Sequence, residues 1–365
     1  MRPAHRWAVV AGSAALLVVG PIAVRAWPAD DSDVSAAELL TTVQGNLDHP
    51  YSGYVEAQGT LLLPVADRFT DVGELFGSST RLRVWWRSAD EWRVDRLLAT
   101  GETDLIHNAQ GTTRWRYEQN DADLSHDPDI RLPRTADLVP PEVADLMLSD
   151  AEPSEVSRLS AARVAGRDAL GLRLRPGARQ TSIDHVDVWA DADSGVVLRA
   201  VVVGKGSGKA AFTTEFADFS PVTPPAERTR FVTPPGADFE FDDVLDIADA
   251  ANQYAPVVPP DRVAGLVKGP ASDRAVGVYG SGATRLIAIP LRGREAEPLR
   301  EQLRLTPGVR EEPQAALVMI GPLGVALGGS GGDGGWLVAG TVTPDTLLRA
   351  VRDLYRGMVI VGDER

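Results

Sequence analysis

Apolar and polar residues alternate strictly in several short runs between residues 81 and 117. In the first run, Arg81 to Arg87, every second side chain is apolar and arginines occupy most of the positions between them. Such a period of two is typical of a β-strand with one buried face. The short turns that separate the runs predict neighbouring antiparallel strands. The side chains assigned to the apolar face are Leu82, Val84, Trp86, Trp92, Val94, Trp115 and Tyr117.

Similar strand patterns return after residue 156 and predict a sheet of about nine or ten antiparallel strands in all. They add Val188, Leu198, Phe212 and Phe216 to the apolar face. The predicted later strands are Ser157 to Leu174, Val186 to Ala190, Val196 to Val203 and Ala211 to Phe219.

Two helices are predicted within this first domain. Ser35 to Leu47 has an apolar stripe at helical spacing, with Ser35 as the N-cap. Pro140 to Leu148 carries Pro141 in its first turn, a position that tolerates proline. The aspartate-rich stretch Asn120 to Asp129 between the strands and the second helix is interpreted as a mobile flap.

The pattern changes near residue 250, after the turn-forming run Pro234 to Gly236 and an acidic segment. Strand and helix patterns alternate beyond this point, ending in helices at Glu295 to Leu305 and Pro344 to Tyr355. We therefore predict a smaller α+β domain after the sheet domain. The predicted divisions are an N-terminal segment at 1–30, the sheet domain at 31–248, a linker at 249–261 and the small domain at 262–365.

The first 30 residues have the pattern of an export signal. Arg2 and Arg6 precede an apolar run at residues 7–24, and Arg25 and several aspartates follow it. The run is long enough to remain as a membrane anchor, and Val24 and Ala26 form a small-residue cleavage pattern, so both outcomes stay open. In either case the rest of the chain is expected outside the cytoplasm, secreted or anchored, with membrane contact through this segment if it is uncleaved.

Composition removes several function classes. The net charge of −14 opposes binding to nucleic-acid phosphates, and the sequence has no cysteine, so disulfides and thiolate chemistry are excluded. The five histidines are scattered without zinc-site spacing. We expect no metal and no cofactor.

Three short motifs resemble catalytic or ligand loops without completing them. Gly204 to Lys209 lacks the first glycine and the hydroxyl of a phosphate loop, and Asp191 to Gly195 lacks the late carboxylate of a calcium loop. Gly280 to Gly282 has Tyr279 where a nucleophile elbow needs glycine. We interpret all three as turns and expect no catalytic residues, with an exported hydrolase as the alternative that a turnover screen would revive.

A sheet with tryptophans on one face either packs on helices as an ordinary core or leaves room for an apolar ligand. Both interpretations are open at this point. In the second, the eleven apolar-face residues named above form the ligand-binding surface.

Three sequence motifs occur in a recognisable order: Tyr51-Ser-Gly-Tyr54 opens a strand, a strand and turn run from Val188 to Arg199, and Phe231-Val-Thr-Pro-Pro-Gly236 closes the domain. In this order the chain resembles the LolA-like superfamily, and its extra C-terminal domain resembles the two-domain RseB/MucB branch of sigma-factor regulatory proteins. The resemblance covers about residues 35 to 245 and extends more weakly to 262–357.

The resemblance implies an α+β fold: a curved antiparallel open half-barrel closed by helices, followed by a smaller α+β domain. It further implies a non-enzymatic regulator that holds a lipid, or the acyl chain of a lipoprotein, and contacts a transmembrane anti-sigma factor. The alternative is a lipid or lipoprotein carrier of the LolA type without a signalling partner.

Overall fold

A computed structural model of the chain describes residues 29–60, 75–128, 130–241, 247–329 and 334–361. The apolar run at residues 7–24 lies outside these described residues, so its cleavage or retention stays a prediction. Among the described helices, none has both the length and the apolar character needed to cross a bilayer.

A single twelve-stranded sheet forms the first domain, in the order β12-β6-β5-β4-β3-β2-β1-β11-β10-β9-β8-β7. The strands β12 and β7 end the sheet, so it is not closed into a barrel. All neighbours are antiparallel except β12 and β6. The strands are β1 (Tyr51–Gly59), β2 (Ser79–Ser88), β3 (Glu91–Leu98), β4 (Gly101–Asn108), β5 (Gly111–Arg116), β6 (Asp121–Ser125), β7 (Val156–Val164), β8 (Arg167–Leu174), β9 (Ile183–Asp191), β10 (Val197–Gly204), β11 (Ala210–Ser220) and β12 (Asp238–Phe241).

The structure departs from the predicted strands in two places. The predicted run Ser157 to Leu174 is a hairpin of β7 and β8, because Ala165 and Gly166 both adopt positive φ angles and reverse the chain. The stretch Asn120 to Asp129, predicted as a flap, contains β6, whose aspartates pair with arginines of β5. Strand pairing and ion pairs therefore order a segment whose composition alone suggested a loop.

Two predicted helices of the first domain are confirmed, α1 (Ala36–Gly45) and α2 (Pro140–Leu148). Ser35 caps α1 by accepting a hydrogen bond from the Glu38 backbone N–H, and the Glu38 side chain accepts one from the Ser35 N–H. A 3₁₀ turn at Thr135–Leu138 leads into α2, and a short helix, α3 (Ala226–Thr229), follows β11. A further short helix, α4 (Ile247–Asn252), precedes the small domain.

The small domain is built on a six-stranded antiparallel sheet in the order β16-β17-β21-β20-β19-β18. Its two long helices are α5 (Gly293–Leu305) and α6 (Pro344–Gly357), and Leu347, Val351 and Leu354 of α6 are buried against the sheet. The strands are β13 (Val257–Val258), β14 (Arg262–Val263), β15 (Leu266–Val267), β16 (Gly277–Ser281), β17 (Thr284–Leu291), β18 (Arg310–Glu312), β19 (Ala315–Ile320), β20 (Leu323–Gly328), β21 (Gly335–Gly340) and β22 (Val359–Ile360).

Backbone hydrogen bonds join the two sheets at the start of β9. The Ser182 N–H donates to the Thr341 carbonyl at 3.1 Å, and the Thr343 N–H donates to the Gln180 carbonyl at 2.8 Å. Between these bonds Thr181 and Val342 form an isolated antiparallel bridge. The small domain is thereby attached to the large sheet at the β8–β9 connection.

Candidate functional site on the concave face

One face of the large sheet is apolar over eight neighbouring strands, from β4 to β8 in sheet order. We call it the concave face and the opposite side the convex face. The registers place its members in rows: Leu82 lies opposite Val55, Val55 opposite Phe216, and Val188 lies between Ala200 and Leu172. Of the predicted ligand-binding residues, those on this face and buried are Leu82, Val84, Trp86, Trp92, Val94, Val188, Leu198, Phe212 and Phe216.

An aromatic row crosses four strands of this face. The rings of Tyr51 and Trp86 stack with centroids 5.9 Å apart, those of Trp86 and Trp92 at 5.4 Å, and those of Trp92 and His107 at 5.2 Å. The row forms because cross-strand neighbours on one face lie close enough for large rings to touch. Phe216 contacts the Tyr51 edge at 5.6 Å and extends the row onto β11.

Trp115 and Tyr117 do not belong to the concave face, which corrects their predicted placement. The β4–β5 register pairs His107 with Thr112, so Thr112 continues the row of Trp86 and Trp92, and Trp115 points to the convex side. Tyr117 follows the end of β5 and is 68% exposed. Alternation alone could not assign the face, because each hairpin turn resets which residues of the next strand point inward.

On the convex side, other apolar side chains cover Trp115. It packs with Ile106, Ala122 and the Phe231 ring, whose centroid lies 5.7 Å away. The chain between β11 and β12 runs over this side, anchored where the Thr229 hydroxyl donates to the Glu91 carboxylate at 2.6 Å. The motif that begins at Phe231 therefore covers the convex face.

Two helices and one 3₁₀ turn cover the concave face. Helix α1 contacts β7 and β8, α2 packs across β10 and β11, and the turn at Thr135–Leu138 contacts β3. The sheet side chains beneath them are almost fully buried, so this surface is covered by helices rather than open to solvent. The cover residues buried against it are Leu39, Leu40, Val43, Ala136, Leu138, Val143, Ala144 and Leu148.

Four hydroxyl or N–H groups lie buried on this apolar face without a partner among the residues that the structure describes. Two are the hydroxyls of Thr80 and Thr214, which flank Ala57 on neighbouring strands. The other two are the Tyr51 hydroxyl and the indole Nε1 of Trp86, whose rings stack on each other. Burial, and secondarily the charge of Glu142, raises the pKa of Tyr51 well above its usual value. Tyr279 of the small domain provides a contrast, since its buried hydroxyl donates to the Pro260 carbonyl at 2.8 Å.

Glu142 of α2 faces the same region. Its pKa is raised to about 8, first by burial and then by the charges of Asp137 and Asp145. At neutral pH this carboxyl is therefore largely protonated. A neutral acid, a phenol and an indole N–H consequently provide polar groups without net charge beside the aromatic row.

The aromatic row ends in a polar corner at β4 and β5. The Thr112 hydroxyl donates to Asp127 at 2.6 Å and accepts from His107 Nδ1 at 2.9 Å, while Arg134 donates to Asp127 at 2.8 Å. The Arg134 guanidinium also lies 4.8 Å from the Trp92 ring centroid. Burial lowers the pKa of His107, which favours the neutral imidazole. This corner closes one end of the apolar face.

The architecture is similar to that of a solved complex. A chain of the Pseudomonas aeruginosa MucA/MucB complex superposes with a TM-score of 0.50 over 90% of this chain and 99% of that chain, at 16% identity. The fold is that of MucB. The curved, open half-barrel with a small second domain, predicted from the sequence, is thereby confirmed as a fold.

Two further structures match with lower scores. A structure of MucB in complex with MucA(peri) has a TM-score of 0.47 and 15% identity, covering 90% of this chain and 99% of that chain. A LolA superfamily protein from Nitrosomonas europaea has a TM-score of 0.27 and 9% identity, covering 54% of this chain and 98% of that chain. No protein-family model and no curated protein matches the sequence.

Sequence reasoning missed an acidic group on the convex face of this MucB fold. Carboxylate oxygens of Asp95, Glu102 and Asp104 lie within 4.8 Å of one another. Arg93 donates to Asp95 at 2.6 Å and to Asp104 at 2.7 Å, and Arg83 donates to Asp95 at 3.1 Å and also to Glu102. Hydrogen bonds from Arg83 and Arg93 thus already engage all three carboxylates. Arg and Asp at alternate positions on β2 and β3 were the signal that could have located this network.

Proposed function

We propose that this chain is an extracytoplasmic, non-enzymatic binding protein that holds a lipid, or the acyl chain of a lipoprotein, on its concave face. The bound state would be reported to a membrane protein, a transmembrane anti-sigma factor in the hypothesis that the resemblance implies. The ligand would enter beneath α2 and lie along the aromatic row.

The observation that carries the ligand proposal is the stacked pair of aromatic donors, Tyr51 and Trp86, that lack a partner on this largely apolar surface. A buried donor without a partner costs about 1–3 kcal/mol, which a ligand oxygen would offset. An ester or carboxyl oxygen placed between Tyr51 and Trp86 would satisfy both donors. The attached hydrocarbon would then lie against the surrounding leucines, valines and phenylalanines.

The energetics favour an acyl ligand over a polar one. Burial of hydrocarbon contributes about 0.8 kcal/mol per methylene to the binding free energy, so the total contribution grows with the length of the acyl chain. The described concave face offers no charged side chain in its centre, and Glu142 at its margin is protonated at neutral pH. A ligand with one neutral polar group and a long apolar part therefore fits this surface.

The partner half of the proposal rests on the likeness to MucB, which occurs in a structure with MucA. Crosslinking of the full chain in cells, followed by identification of the captured membrane protein, tests this half separately. Capture of a transmembrane anti-sigma factor supports it. Capture of no membrane protein, combined with a diffusible mature chain, would favour the carrier alternative instead.

The Tyr51→Phe variant tests the ligand half, with a fluorescent fatty-acid ester as probe. Removal of the unpartnered hydroxyl should leave the ligand-free protein equally stable or slightly more stable, because no hydrogen bond is lost. Affinity for the ester should fall about threefold to tenfold, because the bound oxygen loses one donor. Trp86→Phe should act in the same direction on affinity.

Tyr279→Phe is the matched control. This change removes a hydroxyl that donates to Pro260 and should reduce the free energy of unfolding by about 1 kcal/mol without altering ester affinity. The proposal fails if the ester does not bind the wild-type chain, or if Tyr51→Phe and Tyr279→Phe have the same effect on its affinity.

A further inference from the structure

The outer strand β12 leaves one edge of the large sheet open. It pairs with β6 in parallel register, Phe239 opposite Ala122 and Phe241 opposite Leu124, and no described strand lies on its other side. The Asp238 N–H donates to the Asn120 carbonyl at 3.1 Å, so the peptide groups of Asp238 face β6. Because these groups alternate along a strand, those of Phe239 and Phe241 face away from the sheet and are free to pair.

On the convex side of β12 two phenylalanines protrude. Phe239 is 39% exposed and Phe241 is 80% exposed, and their rings contact each other edge to face at 5.7 Å. They continue the apolar row that Ala122 and Leu124 form on β6. Two exposed aromatic rings beside free peptide groups are unusual on a sheet edge, where charged residues normally prevent pairing.

On the opposite face of β5, β6 and β12, basic side chains on β5 lie beside acidic side chains on β6. The acids of β12 then break this alternation of charge. Arg114 and Arg116 of β5 lie beside Asp123 and Asp121 of β6, with an Arg116–Asp123 distance of 2.7 Å. The next strand, β12, adds two more acids, Glu240 opposite Asp123 and Asp238 opposite Asp121. Both are exposed, and among the described residues neither has a cationic partner. Basic side chains on a strand beyond β12 would give Asp238 and Glu240 cationic partners on this face.

The opposite edge strand of the sheet, β7, contacts other residues of the chain. The chain at Asp31 lies against β7, where the Asp31 carboxylate accepts from the Arg158 side chain and, at 3.3 Å, from the Ala161 N–H. The Asp30 N–H also donates to Asp168 at 3.1 Å. The chain therefore covers part of its β7 edge with its own residues, whereas no segment among the described ranges covers the β12 edge.

We propose that the β12 edge binds an extended segment of a partner protein in which basic and apolar residues alternate. The segment would pair with the outward peptide groups of Phe239 and Phe241 as a thirteenth strand. Its apolar side chains would pack beside the two rings, and its basic side chains would lie next to Asp238 and Glu240. The β12 edge lies three strands beyond β4, where the apolar part of the concave face ends, so the inference is independent of lipid binding.

Charge argues against a second copy of this chain as the occupant. Two β12 strands paired edge to edge would bring Asp238 and Glu240 of one copy beside the acids of the other, and like charges on adjacent strands are destabilising. A basic segment has the opposite effect. The acids therefore select a partner while they oppose self-association.

The test uses labelled five-residue peptides and the full chain. The probe alternates Val-Arg-Val-Arg-Val, one control has the same composition in blocks (Arg-Arg-Val-Val-Val), and another alternates Val-Glu-Val-Glu-Val. Because the chain is acidic overall, the block peptide measures nonspecific attraction. We expect the alternating arginine peptide to bind at least about tenfold more tightly than either control, by fluorescence anisotropy.

Charge reversal provides the decisive variant. Asp238→Lys with Glu240→Lys should weaken the arginine peptide about tenfold and make the glutamate peptide the tighter ligand. Phe241→Pro, which removes one outward N–H, should weaken both peptides about fivefold or more. Leu305→Ala, at an equally exposed apolar position of the small domain, should change neither affinity.

Three results would overturn the proposal. They are equal binding of the alternating and block peptides, unchanged peptide preference after charge reversal, and a wild-type dimer that Phe241→Pro dissociates. Circular dichroism melting of each variant separates loss of the edge contact from loss of the fold. If charge reversal unfolds the chain, the same preference test applies to the single change Glu240→Lys.

Discussion

The two faces of the large sheet use the same strands in opposite ways. On the concave face, alternate residues of β1 to β3 and β8 to β11 are apolar and lie beneath α1 and α2. On the convex face, the intervening residues form ion pairs between neighbouring strands, such as Arg173 with Asp187 and Arg199 with Glu215. Stability therefore depends on filled volume on one face and on matched partners on the other.

The difference also separates what each face can bind. On the convex face, the two-bond contact of Arg173 with Asp187 satisfies both carboxylate oxygens, although Arg83 Nε and Asp104 Oδ1 have no partner among the described residues. The concave face instead keeps the Tyr51 and Trp86 donors without partners. The ligand proposed above would give these two aromatic donors a partner.

The largest expected effect comes from the concave face. Leu82→Ala removes a fully buried side chain from the sheet centre and should reduce the free energy of unfolding by about 2–5 kcal/mol, because a cavity remains. Urea unfolding measures this loss. Leu305→Ala makes the same chemical change at a site that is 84% exposed and should shift stability by less than about 0.5 kcal/mol. Equal losses in the two variants would contradict the packing account.

Removal of one convex partner should have an intermediate effect. Arg173→Ala leaves Asp187 nearly buried without its two hydrogen bonds of 2.6 Å, at a cost of about 1–3 kcal/mol. The exposed neighbour Arg175 provides the control, since Arg175→Ala should cost less than about 0.5 kcal/mol. If both variants unfold at the same urea concentration, the convex pairs do not contribute as described.

The convex face should also give the protein a pH-dependent stability. Burial, and then the charge of Asp95, raises the pKa of Asp104 to about 8. Because this folded-state pKa exceeds the unfolded value of about 4, the stabilisation is complete below pH 4 and is lost as the pH rises through 8. The free energy of unfolding should therefore fall across this window, by up to about 1.4 kcal/mol per pH unit.

Asp104→Asn isolates this contribution. The amide cannot lose a proton, so the variant should show a flatter pH profile in urea unfolding between pH 5 and 9. Glu142 has a pKa of about 8 as well, so the stability of the Asp104→Asn variant should still fall with rising pH, but less steeply than that of the wild type. Leu82→Ala should keep the wild-type slope at lower stability. A wild-type slope in Asp104→Asn would show that Asp104 is not the titrating group.

The smallest effect is expected at the exposed margin of the convex face. Arg81 and Glu56 are 3.7 Å apart, with side chains 64% and 51% exposed. Solvent weakens such a pair, so Arg81→Ala should change the free energy of unfolding by less than about 0.5 kcal/mol. A loss as large as that of Arg173→Ala would remove the distinction between buried and exposed convex pairs.

The sequence predicted the strands of the concave face well because alternation reports burial directly. Leu82, Val84 and Trp86 lie where the period of two placed them, and α2 has the predicted bounds. Trp115 was placed on the wrong face, since its orientation depends on the β4–β5 register, which the hairpin turn sets. The local pattern separates the two faces of each strand. The register set by the hairpin turn decides which of these faces continues the apolar face of the neighbouring strand.

Other features depended on contacts between distant residues and had no local signal. The strand β12 pairs with β6 across more than a hundred residues, and no strand was predicted in its acidic segment. The unpartnered state of Tyr51 and Trp86 is likewise a property of packing, since their sequence neighbours do not show what surrounds them. The candidate ligand face was thus predictable in its residues but not in its donors.

The junction between the two sheets is made of peptide groups, through the Ser182–Thr341 and Thr343–Gln180 hydrogen bonds. Every amino acid except proline supplies the same N–H and C=O, so substitutions at these positions leave the bonds intact. The relative placement of the domains therefore does not require particular side chains at these positions. Chains as different as this one and MucB, at 16% identity, can preserve a shared two-domain outline while their side chains are almost wholly exchanged.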